Sequence, residues 1–417
     1  MRVLFVSTYD AHGGAARAAY RLYQGISRID TARLVVKHST SENPDIVTAG
    51  GKQLSPWERR RLRLASLLGR QVRPVLPPQL SAPPQEAESG DLAREITAFA
   101  PDVVHLHWIC NDFLSLEELA RLRQPVLWTL HDSWPFTGGC HVPLDCLRFQ
   151  DACGSCPLLG SCAEHDWSRQ LHGKKRDCYA ALSLTVVAPS RWLAARARSS
   201  SLLGSARIEV IPNGLDVSRF RPLDKLMARE ILGLPKDRKL MLFGGMSSTT
   251  DPNKGFDLLL QALSGMPERG GDAGLVVFGA SGGELPADFP VPVHFLGTLH
   301  DDATLALAYS AADVMVVPSR QEAFCQTASE ALACGVPVVC FGSSGLFDVV
   351  HHGVDGYAAQ PFEPADLLRG ILWALDPARS GELSRNARAK AVGKFSLEVV
   401  AAQYHELYEQ IMTNRQG

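Results

Sequence analysis

The sequence predicts an α/β protein built from two parallel-sheet domains. Short apolar segments with strand character alternate with helical segments along the 417 residues, an order typical of parallel sheets covered by helices. A segment rich in turn formers, IPNGLDVSRFRPLD at residues 211–224, separates two such series. A chain of this length usually holds about two or three domains.

The pattern places each strand as an apolar run that ends at a turn former. Strands are expected at Arg2–Ser7, Arg33–His38, Asp102–His107, Pro125–His131, Leu184–Pro189, Arg207–Pro212, Lys239–Gly244, Gly274–Gly279, Pro292–Leu296, Asp313–Pro318 and Val336–Phe341. The segment from Phe395 has the pattern of one amphipathic helix. The predicted domains are therefore 1–215 and 216–394, followed by a terminal helix at 395–417.

The composition is that of a folded globular protein and is compatible with an enzyme. Hydrophobic residues make up 46% and charged residues 21% of the chain, which excludes a disordered class. The net charge of −2 gives no general attraction to nucleic acid. The first apolar run is short and enters a Gly-rich turn, so it resembles a strand more than a signal peptide. We expect a cytoplasmic protein with mostly reduced cysteines and no membrane-spanning helix.

The most informative stretch runs from Pro318 to Val339. The predicted strand Asp313–Pro318 leads into this stretch. A loop that holds Glu322 follows, and then a helix that begins near Phe324 and carries Glu330. The free N–H groups at such a helix start suit a phosphate, and the carboxylates suit sugar hydroxyls. The alternative is that Glu322 only interacts with the helix dipole and that Glu330 is a solvated surface residue.

Two further loops have the character of phosphate sites. Gly13 and Gly14 follow the first strand and precede a helix expected at Ala15–Gly25, so the backbone can approach an anion closely. Lys254 follows the first strand of the second domain, where its flexible cation can reach phosphate oxygens. The alternatives are a plain strand-to-helix turn and a solvated surface lysine.

A histidine and a group of cysteines stand close together in the sequence. His131 lies at the end of a strand, where a histidine is either structural or part of a site. A loop with little helix or strand pattern follows at residues 134–168. Its CxxC pair has the spacing that zinc prefers, so one structural zinc is a candidate, with free thiols or labile disulfides as alternatives. The zinc ligands would be Cys140, Cys146, Cys153 and Cys156.

The segment at residues 56–73 is basic and contains leucines. Its arginines are Arg59, Arg60, Arg61, Arg63, Arg70 and Arg73. A segment of this type can lie on an anionic membrane surface, which would make the protein peripheral on the inner face of the cytoplasmic membrane. The alternative is a surface helix packed on the first domain.

Several of these stretches resemble glycosyltransferases. The stretch with Glu322 and Glu330 resembles the glutamate-x7-glutamate motif of retaining GT-B enzymes, family 4 in particular. TLHDSWPFTGGC at residues 129–140 resembles glycosyltransferases of bacterial exopolysaccharide clusters, including the colanic-acid type. The resemblance covers nearly the whole chain. It implies a GT-B fold, in which two Rossmann-like domains face each other across a cleft and the C-terminal helix crosses back to the first domain.

The resemblance also implies roles for individual residues. Glu322 would bind hydroxyls of the donor sugar, Glu330 would bind the ribose, and His131 would contact the donor sugar or shape the reaction centre. The implied catalytic residues are Glu322, His131 and Lys254. The implied donor-binding residues are Gly13, Gly14, Lys254, the backbone N–H groups of Phe324 and Cys325, and Glu330. Many family members carry an arginine shortly before the lysine, where this chain has Ser247 to Thr250 instead.

The sequence thus predicts a retaining glycosyltransferase. The donor would be a UDP- or GDP-linked sugar, and the acceptor a glycan or a lipid-linked saccharide in exopolysaccharide synthesis. The leaving phosphate would take the acceptor's proton, and no catalytic metal is expected. The alternatives are a nucleotide-sugar epimerase or phosphorylase on the same fold, and a non-catalytic nucleotide-sugar-binding protein.

Overall fold

The computed structural model describes residues 1–39, 43, 45–49, 79–83, 90–111, 113–266, 272–286 and 289–416. The chain divides into two compact units. The first comprises Met1–Val187, Ala195–Glu209 and Tyr408–Gly417, and the second comprises Ala188–Ala194 and Val210–Leu407. The basic segment 56–73 lies outside the described residues. No described helix has both the length and the apolarity needed to cross a membrane.

The first unit contains a seven-stranded sheet with the order β3-β2-β1-β4-β5-β6-β7. Its strands are β1 Arg2–Tyr9, β2 Thr31–His38, β3 Ile46–Thr48, β4 Val103–Leu106, β5 Val126–Thr129, β6 Leu184–Ala188 and β7 Arg207–Val210. β1 pairs in parallel with both β2 and β4. The chain therefore reverses its direction of travel across the sheet between β1 and β4, where open parallel sheets usually bind ligands.

The second unit contains a six-stranded sheet with the order β10-β9-β8-β11-β12-β13. Its strands are β8 Lys239–Gly244, β9 Ala273–Phe278, β10 Val293–Phe295, β11 Val314–Val317, β12 Val338–Phe341 and β13 Gly356–Ala359. β8 pairs in parallel with β9 and β11. The reversal in this sheet lies between β8 and β11, so the loops after these two strands are neighbours.

Helices cover both sheets. In the first unit they are α1 Gly13–Ile26, α2 Gly90–Phe99, α3 Leu116–Leu119 and α4 Trp167–Tyr179, and α5 Arg191–Arg198 lies in both units. In the second unit they are α6 Lys225–Ile231, α7 Phe256–Ser264, α8 Asp302–Ala311, α9 Gln326–Ala333, α10 Leu346–Val349, α11 Pro364–Ala374 and α12 Pro377–Lys390. A π-helical turn at Ala391–Phe395 leads to α13, Leu397–Gln416, whose last residues belong to the first unit.

The inner strands of the second sheet are buried on both faces. Leu240 and Leu242 pack in one core cluster, whereas Met241 and Phe243 pack in the other. Successive side chains of a strand point to opposite faces, so a strand covered on both sides must be apolar at every position. This is why the sequence shows continuous apolar runs at these strands.

The predicted strands are all present, and the α/β prediction is confirmed. The two strands that the sequence analysis missed, β3 and β13, are short edge strands with the sequences IVT and GYAA. α1 begins at Gly13 instead of Ala15, and α9 begins at Gln326 instead of near Phe324. The terminal helix begins at Leu397, after the π-helical turn.

The cysteine-containing loop is ordered by its own hydrogen bonds. It forms short 3-10 turns at Trp134–Phe136, Arg148–Gln150 and Pro157–Leu159. The Asp166 carboxylate accepts from the backbone N–H of Ser168 and Arg169, which caps α4, and also from the N–H of Cys156 at 2.7 Å. This capping ties the loop to the helix that follows it.

A buried lysine holds the first turn of this loop. Lys175 on α4 has no exposed surface, and its Nζ donates to the carbonyl oxygens of Trp134 and Thr137. The same Nζ lies 3.4 Å from the centroid of the Trp134 ring. Two hydroxyl groups complete the set, since Tyr179 donates to the Pro135 oxygen and Ser200 to the Phe136 oxygen. Four consecutive carbonyl groups are thereby satisfied by buried side chains.

We expect Lys175 to make stability depend on pH. Burial lowers the pKa of Lys175 from 10.5 to about 7. Between these values the unfolded chain binds a proton that the folded chain does not, so the contribution of Lys175 to stability rises with pH. The unfolding free energy of the wild type, minus that of Lys175→Met, should therefore increase from pH 7 to about pH 10 in denaturant titrations.

The matched control is Lys174→Met, at the exposed neighbouring position of the same helix. Its difference from the wild type should show no comparable rise over this range. A pH-independent difference for Lys175→Met would mean that this buried amine keeps its proton.

Candidate functional site

The reversal of the second sheet brings two predicted site residues into contact. Lys254 follows β8, and Glu322 follows β11, the strand beside it. The Lys254 Nζ donates to the Glu322 Oε1 at 2.8 Å. The Lys254 side chain is 26% exposed and the Glu322 side chain is 14% exposed, so the pair is partly buried but still accessible to a ligand. The contact excludes the solvated surface lysine that the sequence left open.

The two charges stabilise each other. Burial alone would lower the pKa of Lys254, but several neighbouring groups, of which the Glu322 carboxylate contributes most, together raise the pKa above its usual value. Cys325 lies nearby, and burial raises the pKa of its thiol to about 12, with Glu322 contributing. At neutral pH Lys254 is therefore an ammonium and the Cys325 thiol is uncharged.

Asn253 holds the Glu322 loop beside the Lys254 loop. Its side-chain Nδ2 donates to the Gln321 carbonyl oxygen at 2.8 Å, and its Oδ1 accepts from the Gln321 N–H at 3.1 Å. Its carbonyl oxygen accepts from the Arg320 N–H at 2.8 Å. The amide thus imitates the two-way pairing of a β-ladder and fixes the residue just before Glu322. No pattern in the sequence indicates this role, because an Asn in a loop usually forms hydrogen bonds within its own turn.

The loop after β12 also holds Glu322 in place by hydrogen bonds to its backbone. The Glu322 N–H donates to the Ser344 Oγ at 3.0 Å, and the Gly345 N–H donates to the Glu322 carbonyl oxygen at 2.8 Å. A Cβ on Gly345 would stand 2.2 Å from the Ala323 oxygen, so only glycine permits this approach. Gly255 is similar, since its φ is +68° and a Cβ would stand 2.0 Å from the Pro318 oxygen.

Left-handed residues cluster at this edge of the sheet. Ser247, Cys325 and Ser344 follow β8, β11 and β12 and have φ values of +55°, +81° and +54°. Residues other than glycine adopt this conformation at an energetic cost and are found disproportionately at functional sites. Turns of this kind also expose backbone N–H groups on one side, which favours an anion.

The other residues predicted around Glu322 have different surroundings. Cys325 is the residue before α9, and Phe324 precedes it with only 2% of its surface exposed. Glu330 is 3% exposed within α9, and its Oε2 accepts from the Tyr309 hydroxyl at 2.8 Å. The alternative that Glu330 is a solvated surface residue is therefore wrong. Its ribose-binding role stays a prediction.

The first unit carries its predicted residues at the corresponding edge. Gly13 has a φ of +86° and begins α1, and the His12 side chain makes no capping bond. The start of this helix lies directly after β1, beside the reversal of the sheet. The position suits an anion, although the role of Gly13 and Gly14 in donor binding stays a prediction.

His131 follows β5 and is partly exposed. Its Nε2 lies 2.9 Å from the Nδ1 of His107, which follows β4. Burial lowers the pKa of His131 to about 4, so the imidazole is neutral at pH 7. His107 was not predicted from the sequence as a site residue. The signal was the HLHW sequence, in which two histidines alternate within an apolar strand.

Asp132, the residue after His131, is the centre of a hydrogen-bond network. Its Oδ2 accepts from the Trp108 Nε1 at 2.8 Å and lies 2.7 Å from the His141 Nδ1, and its Oδ1 accepts from the Trp134 N–H. The His141 Nε2 lies 2.8 Å from the Ser81 Oγ. Burial opposes ionisation of Asp132, but His141 and these donors lower its pKa below the usual value. A carboxylate with this many donors is fixed in position.

The predicted zinc ligands are only partly brought together. Cys140 and Cys156 interact with each other, and this interaction together with burial raises the pKa of the Cys140 thiol. The Cys153 Sγ accepts from the Gly138 N–H at 3.2 Å. Within the described residues, which include all four cysteines, no three or more His, Cys, Asp or Glu side chains are placed to hold a metal ion. Zinc therefore has no support from this geometry.

Comparison with known proteins identifies the family. Residues 12–219 match the model described as Glycosyltransferase Family 4, and residues 224–391 match Glycosyl transferases group 1. A D-inositol 3-phosphate glycosyltransferase of Catenulispora acidiphila is 31% identical over 351 residues, 75% of each chain. One from Xylanimonas cellulosilytica is 36% identical over 228 residues, 50% of this chain and 52% of the relative. The chain thus spans about half the length of the first curated relatives it matches.

Solved structures agree on the fold. The chain is similar to the sucrose-phosphate synthase of Thermosynechococcus elongatus, with a TM-score of 0.68, 20% identity, and coverage of 99% of this chain and 100% of that one. It is also similar to Anabaena Alr3699/HepE, crystallised with UDP-glucose, with a TM-score of 0.65, 18% identity, and coverage of 98% and 100%. Identities this low establish the fold alone. Together with the family matches, they show that this chain belongs to the GT-B glycosyltransferases of the family 4 type.

Proposed function

We propose that this protein transfers a glycosyl group from a nucleoside-diphosphate sugar to an acceptor hydroxyl, with retention of the anomeric configuration. The observation that carries the proposal is the Lys254–Glu322 pair at the reversal of the second sheet. An ammonium and a carboxylate in contact match a donor that has an anionic diphosphate next to a polyhydroxylated sugar.

The roles follow from the charges. Lys254 would offset the negative charge that develops on the leaving diphosphate, a contribution that is often the largest in such reactions. Glu322 would accept hydrogen bonds from the sugar hydroxyls while charge develops on the sugar. The leaving phosphate would take the acceptor's proton, so no protein nucleophile is assigned. We keep His131 and Glu330 as proposed contacts of the donor sugar and the ribose.

Two classes of acceptor are proposed. The relatives are named D-inositol 3-phosphate glycosyltransferases, which favours a phosphorylated polyol. The motif at residues 129–140 favours a glycan or lipid-linked acceptor in exopolysaccharide synthesis, at the inner face of the cytoplasmic membrane. UDP is favoured over GDP by the solved neighbour crystallised with UDP-glucose.

Nucleotide release from a panel of nucleotide sugars tests the proposal. Release that depends on inositol phosphate or on a saccharide acceptor would establish transfer and choose between the acceptors. Conversion of the sugar nucleotide without an acceptor would instead indicate an epimerase, and release that depends on phosphate would indicate a phosphorylase. Binding without turnover would indicate a nucleotide-sugar-binding protein.

Glu322→Gln should lower kcat by about 10²- to 10³-fold, because it removes a charge that acts where charge develops. Glu330→Gln should mainly raise KM, since a ribose contact is nearly the same in the ground and transition states. Both variants keep the size of the side chain, and steady-state kinetics with the best donor measures the two effects.

Glu230→Gln is the matched control, because Glu230 forms an exposed pair with the Lys236 Nζ at 2.7 Å in the same unit. Its kinetics should equal those of the wild type. Unchanged turnover in Glu322→Gln would remove Glu322 from the reaction centre.

The product linkage should have the anomeric configuration of the donor. Retention is expected because the sequence and the family matches place the chain with family 4-type enzymes. Activity should also persist during brief treatment with excess EDTA, since Lys254 and backbone N–H groups supply positive charge. NMR of the glycosidic linkage measures the first outcome. An inverted linkage, or activity lost to EDTA and restored by magnesium, would refute this assignment.

Asn253→Asp should lower kcat while leaving nucleoside-diphosphate affinity nearly unchanged. The substitution replaces the Nδ2 donor by an oxygen facing the Gln321 oxygen, which displaces the Glu322 loop. A misplacement of about 1 Å can cost about 10²-fold in rate. Kinetics and calorimetric nucleotide binding separate the two effects. Asn386→Asp is the control, since Asn386 Nδ2 donates to the Val354 oxygen at 3.0 Å elsewhere in the unit. Equal losses in both variants would show a general structural effect.

A further inference from the structure

Three histidine rings lie at or near the carboxyl ends of β4 and β5, and one buried ring nitrogen among them has no hydrogen-bond partner among the described residues. His105 has partners on both sides, with its Nδ1 2.7 Å from the Tyr408 hydroxyl and its Nε2 2.8 Å from the Thr129 Oγ1. The His107 Nδ1 lies 2.9 Å from the His131 Nε2. The His107 Nε2 is buried and has no hydrogen-bond partner among the described residues. An unpaired buried atom is rare and calls for an explanation.

The unpaired nitrogen decides where the protons lie. A short contact between two neutral imidazole nitrogens contains one proton, which belongs to either His107 or His131. If the His131 Nε2 donated to the His107 Nδ1, the neutral His107 ring would have its single proton on Nε2. That proton would form a buried N–H with no acceptor. If His107 donates from Nδ1, its Nε2 is only an unused lone pair. Buried N–H groups without a partner are rarer than under-satisfied acceptors, so the second arrangement is favoured.

We propose that His107 is a positioning residue that donates its Nδ1–H to His131 and thereby holds His131 as the tautomer protonated on Nδ1. His131 then presents an N–H to a ligand, as a neutral hydrogen-bond donor and not as a base. The chemical meaning rests on the proposed function. The ligand atom that His131 recognises is an oxygen that accepts, such as a sugar hydroxyl or a phosphate oxygen.

The His107 ring cannot turn easily to change this assignment. The backbone N–H of His107 donates to the Val6 carbonyl oxygen at 2.9 Å, and the backbone carbonyl oxygen of His107 accepts from the Trp128 Nε1 at 2.9 Å. Its ring stacks on Phe5 at 5.7 Å and lies 4.3 Å from the His105 ring, measured between centroids. His107 is only 2% exposed. A close-packed ring of this kind keeps one orientation, which suits a residue that orients another.

The charges agree with two neutral rings. Burial lowers the pKa of His131 to about 4, and burial together with His105 and His131 keeps the pKa of His107 well below its usual value. An imidazolium on either ring would donate from both nitrogens and erase the distinction between the tautomers. Neutral rings at pH 7 preserve it.

Nitrogen NMR of histidine-labelled wild-type protein tests the proposal without any change at His107. The signals of His131 are assigned by their loss in His131→Gln, out of 13 histidines. At pH 7, Nδ1 should have the chemical shift of a protonated nitrogen and Nε2 that of a nitrogen with a free lone pair. The reverse pattern, or an imidazolium, would overturn the proposal.

Two variants then test the role of His107 itself. In His107→Asn an amide nitrogen stands as many bonds from the Cα as Nδ1 does, so it can still donate, whereas His107→Leu has no donor. His131 should stay protonated on Nδ1 in the Asn variant and become a mixture of tautomers in the Leu variant. An unchanged tautomer in the Leu variant would overturn the assignment. His294→Asn, a histidine on β10, is the control and should leave the His131 signals unchanged.

Turnover gives a separate readout. Under the proposed function, kcat should fall about 10-fold or more in His107→Leu and less in His107→Asn, a range typical of an oriented hydrogen bond. The predicted tautomer in a protein with no transferase activity would refute the proposed function alone. Transferase activity with the reverse tautomer would refute the role of His107 alone.

Discussion

The ion pair between Lys254 and Glu322 is the interaction on which the rest of the second unit's site depends. A lysine and a glutamate this far from full exposure are stable only together, because removing either would leave a partly buried charge without a partner. The sheet order makes the pairing possible, since the loops after β8 and β11 are neighbours only where the chain reverses its path. Asn253, Ser344 and the two close-approach glycines then act as supports that keep the carboxylate within reach.

The same edge of the sheet carries the backbone strain of the unit. Ser247, Cys325 and Ser344 have positive φ values. The Ser247 carbonyl oxygen accepts from the N–H groups of Thr250 and Asp251, and the Ser344 Oγ accepts from the Glu322 N–H. Backbone strain of this kind persists only where the surrounding structure holds the strained residues in place. Here each of the three residues follows a buried strand of the sheet. The arrangement is therefore preorganised before any ligand arrives, which is how a protein limits the reorganisation that accompanies reaction.

Sequence patterns predicted the parts of this fold that depend on burial. Strands covered on both faces appear as apolar runs, whereas β13, with the sequence GYAA at the sheet edge, has no such run. Glu322 was found because a motif surrounds it, and Lys254 was found because it follows the first strand of its domain. Asn253 and His107 were not, because their roles come from partners distant in sequence. Lys175 was invisible for a related reason, since a lysine in a helix normally indicates a solvated face, and its burial is set by the loop that it holds.

The path of the chain has a consequence for the order of folding. The first unit is discontinuous, because Tyr408–Gly417 belong to it while Val210–Leu407 form the other unit. The Tyr408 hydroxyl supplies a partner to the fully buried His105, in the strand before His107. During synthesis from the N-terminus, Val210–Leu407 are therefore made before Tyr408, and the contact between Tyr408 and His105 can form only afterwards. A nascent or truncated chain that stops short of α13 lacks the hydroxyl that pairs with the His105 Nδ1.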